Sequence, residues 1–264
     1  MEFFSHGEML RRANLLHSGY INAAPFAHCA IDGLFPISTL KSVLDGWPPE
    51  NDPYWELKRN QTSFKLSSRS HLKEFMVAPA VRAFMQYCYS ATMLEFLENL
   101  TGIKGLVGDP YHEGGGPYSV PSGGYLKIHA DFNKHPRLLL YRRVNLLIYL
   151  NPNWQDEWGG FLELWNEDRS ECGRRIAPIM GRSVIFNTTR LAFHGHPRPL
   201  LTPAHISRNA IGFYYYAAEP ADLDDVEERT TLYFANINDL KADAEISKNL
   251  QQSTKISEPL NPDE

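Results

Sequence analysis

Three short stretches of the chain carry residues that can do chemistry together. In Tyr125-Leu126-Lys127-Ile128-His129-Ala130-Asp131 the side chains of a strand alternate between faces. Tyr125, Lys127, His129 and Asp131 then share one face, and Leu126, Ile128 and Ala130 share the other. An imidazole and a carboxylate two residues apart can meet the same cation, although an isolated His-x-Asp is more often a salt-bridged couple. In Leu191-Ala192-Phe193-His194-Gly195-His196-Pro197, His194 and His196 share a face with Leu191 and Phe193 opposite. A polar barrel rim would show the same pattern. The third stretch, residues 206–216, puts Arg208, Ala210, Gly212 and Tyr214 on one strand face. An interior guanidinium needs an anion, either an internal carboxylate or a bound one, because an unpaired buried charge is costly. Ala210 and Gly212 are small and leave room beside it.

Taken together, two histidines and a carboxylate on strands of one β region form a facial triad. Such a triad leaves coordination positions open and suits non-haem Fe(II) oxygenases. An arginine fourteen residues past the histidine can hold a dicarboxylate by a bidentate pair. The order His-x-Asp, then His, then Arg on strands is more specific than any of its parts.

Those strands need a scaffold, and the chain has the length for one. At 264 residues it can bury a full core as a single barrel-sized domain. Its 43% hydrophobic and 22% charged residues are ordinary for a globular protein and exclude wholesale disorder. The net charge of -5 gives no global basic face for gripping a phosphate backbone, so no nucleic-acid partner is expected. Cys29, Cys88 and Cys172 are too scattered for a disulfide framework, which points to a reducing compartment, and a cytoplasmic location is expected. No signal-peptide core opens the chain, and no apolar run is long enough to span a membrane.

The elements follow from periodicity and turn residues. Helices are expected over residues 1–17, 38–44, 78–87 and 91–100, the last with Met93, Leu94, Phe96, Leu97 and Leu100 at core spacing. A strand is expected within 23–36, a loop over 47–60, and a strand over 62–66. The glycine-rich stretch 108–124 lacks a phosphate-loop pattern and reads as a mobile loop beside a site, with His112 and Glu113 exposed. From Tyr125 onward short strands alternate with turns, at 125–131, 143–151, 160–165, 174–177, 183–187, 191–196 and 208–217, which argues for a sandwich or barrel. The expected layout is an N-terminal helical and leading-strand region over 1–105, a catalytic core over 106–218, and a C-terminal extension over 219–264 ending in a mobile tail, all in one domain.

The stretch from about Tyr118 to Tyr216 resembles the 2-oxoglutarate/Fe(II)-dependent dioxygenases, in particular the prolyl 4-hydroxylase-like superfamily. The resemblance is carried by GGYLKIHADF, RRVNLLIYLNPNW, WGGFLELW, APIMGRSVIFNT, FHGHPRPL and SRNAIGFYYY. It implies an α+β, mainly β protein with a double-stranded β-helix core and flanking N-terminal helices. It also implies that His129, Asp131 and His194 hold iron, the FHG context favouring His194 over His196. Tyr149 and Arg208 would hold the distal carboxylate of 2-oxoglutarate, with Leu162 as an apolar wall. Tyr118 would line the site, and Asn145, on the face of Tyr149, would touch the cosubstrate.

The implied activity is oxidative decarboxylation of 2-oxoglutarate by O2 at Fe(II), giving succinate and CO2 and hydroxylating an unactivated C–H bond, with ascorbate helpful. The carboxylate at Asp131 favours hydroxylation, since related halogenases carry a small residue there. The substrate is expected to be a peptide, an amino acid, or a natural-product or other small molecule, with Tyr118, Arg142, Trp165 and Tyr214 as candidate contacts. Two other classes share parts of this pattern. A zinc-dependent cupin-like hydrolase would use the triad but leave Arg208 without a task. A non-catalytic binding barrel would not need the triad complete. The sequence carries no signal for oligomeric state.

Overall fold

The computed structural model describes residues 1–68, 76–222 and 225–233. The expected C-terminal tail lies outside them from residue 234 onward. Four helices precede most of the sheet: α1 (His6–Ile21), α2 (Ile37–Asp45), α3 (Pro79–Cys88) and α4 (Ala91–Thr101). The strands are β1 (His28–Asp32), β2 (Trp55–Arg59), β3 (Ser63–Ser68), β4 (Val107–Gly108), β5 (Gly116–Val120), β6 (Tyr125–Ala130) and β7 (Tyr141–Tyr149). They continue with β8 (Leu162–Trp165), β9 (Cys172–Ile176), β10 (Arg182–Asn187), β11 (His194–His196), β12 (Arg208–Ala217) and β13 (Leu232–Tyr233).

The helices start where their caps allow. Ser5 accepts a hydrogen bond from the Glu8 amide and opens α1, so that helix begins at His6 and not at the first residue. Glu8 also pairs with Arg11 and Arg12 one turn on. Helix α4 stops at Gly102, whose φ of 78° is open to glycine at little cost.

The strands run β1-β10-β7-β12-β5-β3-β6-β11-β8-β9 in hydrogen-bonded order, with β13 on β6, β2 on β3 and β4 on β12. Strand β3 bridges β5 and β6 and so links two layers, β1-β10-β7-β12-β5 and β6-β11-β8-β9. The interior between the layers is filled by Leu147, Tyr149, Val184, Phe186 and Ala210 from the first and Leu162, Leu164 and Ile176 from the second. This is the double-stranded β-helix with flanking helices.

Alternation along the central strands assigns each face. On β7, Val144, Leu146 and Ile148 face the helices, while Asn145, Leu147 and Tyr149 face the interior. On β12, Ile211, Phe213 and Tyr215 pack toward the helices, against Phe84 of α3 and Phe96 of α4, among others. Arg208, Ala210, Gly212 and Tyr214 are left for the interior. Both faces of these two strands are therefore covered.

Five sequence expectations change. The stretch 47–60 is not all loop: Trp55–Arg59 forms β2, an outer hairpin strand in which only Trp55 is buried, so it shows no apolar alternation. The strand expected within 23–36 is confined to His28–Asp32. The strand expected over 191–196 is confined to His194–His196. The glycine-rich stretch 108–124 is not a loose loop, because Gly116–Val120 pairs with β12 along its length. A Cβ on Gly115 would lie 3.0 Å from the Gly212 carbonyl, so its glycine serves close backbone approach. His112 is buried at 5% exposure and packs against Tyr89, contrary to the exposed position expected for it.

One close approach matters for the site. Gly195 sits between two histidines on β11, and a Cβ there would meet the backbone carbonyls of Lys127 at 2.7 Å and Leu126 at 2.8 Å. Gly195→Ala must push β11 off β6, and overpacking of this kind costs about 1–3 kcal/mol. Denaturant unfolding should show that loss; an unchanged midpoint would mean that β11 is not held tightly against β6.

Candidate metal centre

Strands β6 and β11 pair antiparallel with His194 directly opposite His129. Asp131 follows the end of β6 on the same face as His129. The structure thus brings His129, Asp131 and His194 together, with one potential ligand atom from each lying within 4.8 Å of the others. All three are buried.

Each histidine is oriented by its own backbone neighbourhood. His129 Nδ1 lies 2.8 Å from the Lys127 carbonyl, and His194 Nδ1 lies 2.9 Å from the Ala192 carbonyl. A carbonyl only accepts, so each Nδ1 carries the proton and each Nε2 keeps its lone pair. Those two Nε2 atoms both lie 3.5 Å from Asp131, one toward Oδ1 and the other toward Oδ2. Fixing the tautomer through the remote nitrogen is how a protein prepares a histidine for a metal. Burial, partly opposed by the Asp131 charge, brings His194 down to about 4, so it stays neutral near pH 7.

Asp131 is held as a carboxylate. Burial alone would raise it, but Arg142, His194 and His129 outweigh that and keep it well below the usual range. Arg142 Nη2 lies 2.9 Å from Oδ2, and Asn145 Nδ2 donates to the same oxygen at 2.8 Å. Arg142 Nε donates in turn to Asn145 Oδ1 at 2.9 Å. The Arg142 guanidinium is packed 3.3 Å from the Tyr214 ring centre and 4.7 Å from that of Phe132. From the C-terminal side Arg229 donates to the Asp131 carbonyl, and Tyr233 on β13 brings its ring 5.3 Å from that of His129.

The triad opens into a cavity of about 270 Å³. Arg208 lies on its wall, 1% exposed, with Nε donating to the Gly160 carbonyl at 2.8 Å and Nη2 donating to the Tyr149 hydroxyl at 3.2 Å. Among the described residues its Nη1 has no partner. His196 also lines the cavity, 3% exposed, and neither of its ring nitrogens has a partner among the described residues. Burial, with Arg208 and Lys65 nearby, pushes its basicity far down and keeps it neutral. Buried polar atoms without partners are rare in folded proteins, and here Arg208 Nη1 and both His196 ring nitrogens belong to residues of one cavity.

The other sequence candidates fall around this cavity in different ways. Leu162 and Tyr118 line it; Tyr149 sits behind Arg208. Asn145 lines it as well, but commits its amide to Asp131. Of the candidate substrate contacts, Tyr118, Arg142 and Tyr214 line the cavity and Trp165 does not. Trp165 packs with Ile128, Ala130 and Phe193 and donates to Glu163 at 3.1 Å, so it belongs to the core behind β6. Sequence reasoning missed Lys58 and Lys65 of the β2–β3 hairpin, which line the cavity, and Arg229.

The donor set fits a divalent metal: two imidazole nitrogens and one carboxylate on a single side of a cavity. No helix among the described residues is long and apolar enough to cross a membrane.

Comparisons with known proteins agree with this geometry. Residues 117–216 match the family model of the 2OG-Fe(II) oxygenase superfamily. No curated protein sequence matches the chain. Among solved structures, a prolyl-4-hydroxylase from Pseudomonas putida is similar with a TM-score of 0.54 at 16% identity, covering 78% of this chain and 100% of that one. A prolyl hydroxylase from Trichoplax adhaerens, in complex with a hypoxia-inducible-factor peptide fragment, is similar with a TM-score of 0.54 at 20% identity, covering 80% and 91%. A prolyl 4-hydroxylase from Phytophthora capsici gives 0.57 at 18% identity, covering 96% and 77%. At these identities the structures establish the shared fold, and residues 117–216, which hold His129, Asp131, His194 and Arg208, are the stretch that is similar to the 2OG-Fe(II) oxygenase superfamily.

Proposed function

We propose that the protein hydroxylates an unactivated C–H bond of a peptidyl, amino-acid or other small-molecule substrate, consuming 2-oxoglutarate and O2 and releasing succinate and CO2. His129, Asp131 and His194 are the metal ligands in this reading, and Arg208 with Tyr149 anchors the distal carboxylate of 2-oxoglutarate. The observation that carries it is the pairing of two features in one cavity. At one side two imidazole Nε2 atoms and a carboxylate converge. On the wall a buried guanidinium keeps an Nη1 unpartnered among the described residues.

Bound Fe(II) would supply the activation of O2 and the oxidation of the cosubstrate. The chain's own residues do the rest. His129 and His194 present lone pairs because their Nδ1 protons are tied to carbonyls. Arg142 and Asn145 grip one oxygen of Asp131 and so limit rotation of the carboxylate. Arg208 offers a donor toward the cavity, with Tyr149 stacked at 4.8 Å from its guanidinium carbon and bonded to its Nη2. His196 has a donor free to reach an oxygen beside Arg208, and this reading makes it a cosubstrate contact and not a metal ligand. Leu162 and Leu147 give the cavity an apolar wall that excludes water.

Two predictions test the assignment. His194→Ala, like His129→Ala, should lose bound metal as read by elemental analysis, whereas His196→Ala should keep it. Loss in the His196 variant alone would exchange the two histidines, and retention in all three would remove the triad. Arg208→Ala should keep metal and weaken 2-oxoglutarate by the cost of unpairing a buried charge, about 2–5 kcal/mol, or at least about 30-fold in calorimetric affinity. Arg208→Lys should fall between, since a point charge cannot make a bidentate contact. Unchanged affinity in Arg208→Ala would show that the distal carboxylate lies elsewhere.

A further inference from the structure

Strands β2 and β3 place Lys58 and Lys65 directly opposite one another. Directly opposed residues share a sheet face with Cβ atoms about 4.5–5.5 Å apart, and like charges in that position are destabilising. Both lysines line the cavity that holds the triad. Neither has an ion-pair partner among the described residues, and Glu56, two residues along the face of Lys58, pairs with neither. Lys65 is half-buried, and burial followed by repulsion from Lys58 brings it down to about 8. It is still mostly charged near pH 7.

Among the described residues, the charge of Asp131 and the Tyr118 ring, 5.5 Å from Lys65 Nζ, offset this pair in part, but neither lysine has a counter-ion of its own. The charged walls of the cavity are Lys58, Lys65, Arg142 and Arg208 against the single carboxylate of Asp131. Arg142 is taken by Asp131. In the reading above, Arg208 is taken by the distal carboxylate of 2-oxoglutarate, and the other carboxylate of that molecule is left for Fe(II). The two lysines are then left over, facing the open part of the cavity, in a chain whose net charge is -5. A fold that opposes two cations without a counter-ion, at the mouth of a reaction site, is arranged for an anion that arrives from outside.

We propose that Lys58 and Lys65 form the substrate-recognition site, and that the substrate carries an anionic group, a carboxylate or a phosphate, which docks between them. This rests on the reading of the cavity as the reaction site and adds the chemical class of the molecule that enters it. The hairpin lies outside the matched stretch 117–216, so the specificity element and the metal-binding core come from different parts of the chain.

The test uses the full chain loaded with Mn(II) and saturating 2-oxoglutarate, which occupies Arg208. Calorimetric binding of 2-oxoglutarate to the wild type reports the parent reading by itself; if it fails, that reading falls before the lysines are considered. Inorganic sulfate, compared with chloride at equal ionic strength, should raise the wild-type melting temperature by about 2–4 °C once its site fills. The rise should vanish in the Lys58→Gln/Lys65→Gln double variant. Lys58→Glu should melt higher than wild type without any sulfate, because an ion pair replaces a repulsion, and should also lose the sulfate response. An equal sulfate shift in wild type and double variant, or a lower melting temperature for Lys58→Glu, overturns the proposal. With Fe(II) in place of Mn(II) and O2 admitted, succinate release with matched N-acetyl amino acids and their primary amides, and with matched phosphate monoesters and alcohols, separates the two anion sources. Stimulation by the neutral partners equal to that by the acids also overturns it.

Discussion

The register of β11 on β6 is the constraint on which the rest depends. It sets His194 opposite His129, and it does so over only three residues of β11. Side chains alternate with a period of two, so a slip of one residue would turn His194 away from His129 and Asp131. The backbone carbonyls of Lys127 and Ala192 then complete what the register begins, since each takes the Nδ1 proton of the histidine two residues on. The same local device, repeated on two strands, aims two Nε2 atoms at one carboxylate. Gly195 permits it by letting β11 come close to the backbone of β6.

A buried carboxylate needs more than two imidazoles beside it. Arg142 supplies the compensating charge at 2.9 Å, and the aromatic faces of Tyr214 and Phe132 flank the guanidinium. Removing one partner of a buried pair leaves the other uncompensated and costs roughly 3–5 kcal/mol, so Asp131 and Arg142 stand or fall together. The C-terminal segment is tied into this arrangement. Asp225 accepts from both Asn133 and Arg229, and Arg229 reaches the Asp131 carbonyl. The residues after β12 are thus part of what holds the carboxylate in place.

Much of the site was legible because strand alternation makes it local. The faces of His129 with Asp131, of His194 with His196, and of Arg208 with Ala210 follow from counting by two, and the order of the three motifs pointed to the family. What could not be read were contacts set by distant pairings. Arg142 looked like a candidate for the substrate, yet its partner is Asp131, eleven residues back across a loop. Trp165 looked like a contact too, but β8 turns it to the core behind β6. The stretch 108–124 suggested mobility because of its glycines, whereas they permit Gly116–Val120 to lie flat against β12. A strand over 62–66 was expected, but β2 had no apolar alternation to announce it, and so the hairpin and its two opposed lysines were missed.

The most direct test of the account is the anaerobic crystal structure of the chain with Mn(II) and 2-oxoglutarate, with the metal located by its anomalous scattering. The account predicts a single manganese bound by the Nε2 atoms of His129 and His194 and the carboxylate of Asp131. It also predicts the distal carboxylate of 2-oxoglutarate at Arg208 Nη1, with His196 free of the metal. Manganese bound through His196, or 2-oxoglutarate absent from the Arg208 side of the cavity, would contradict it.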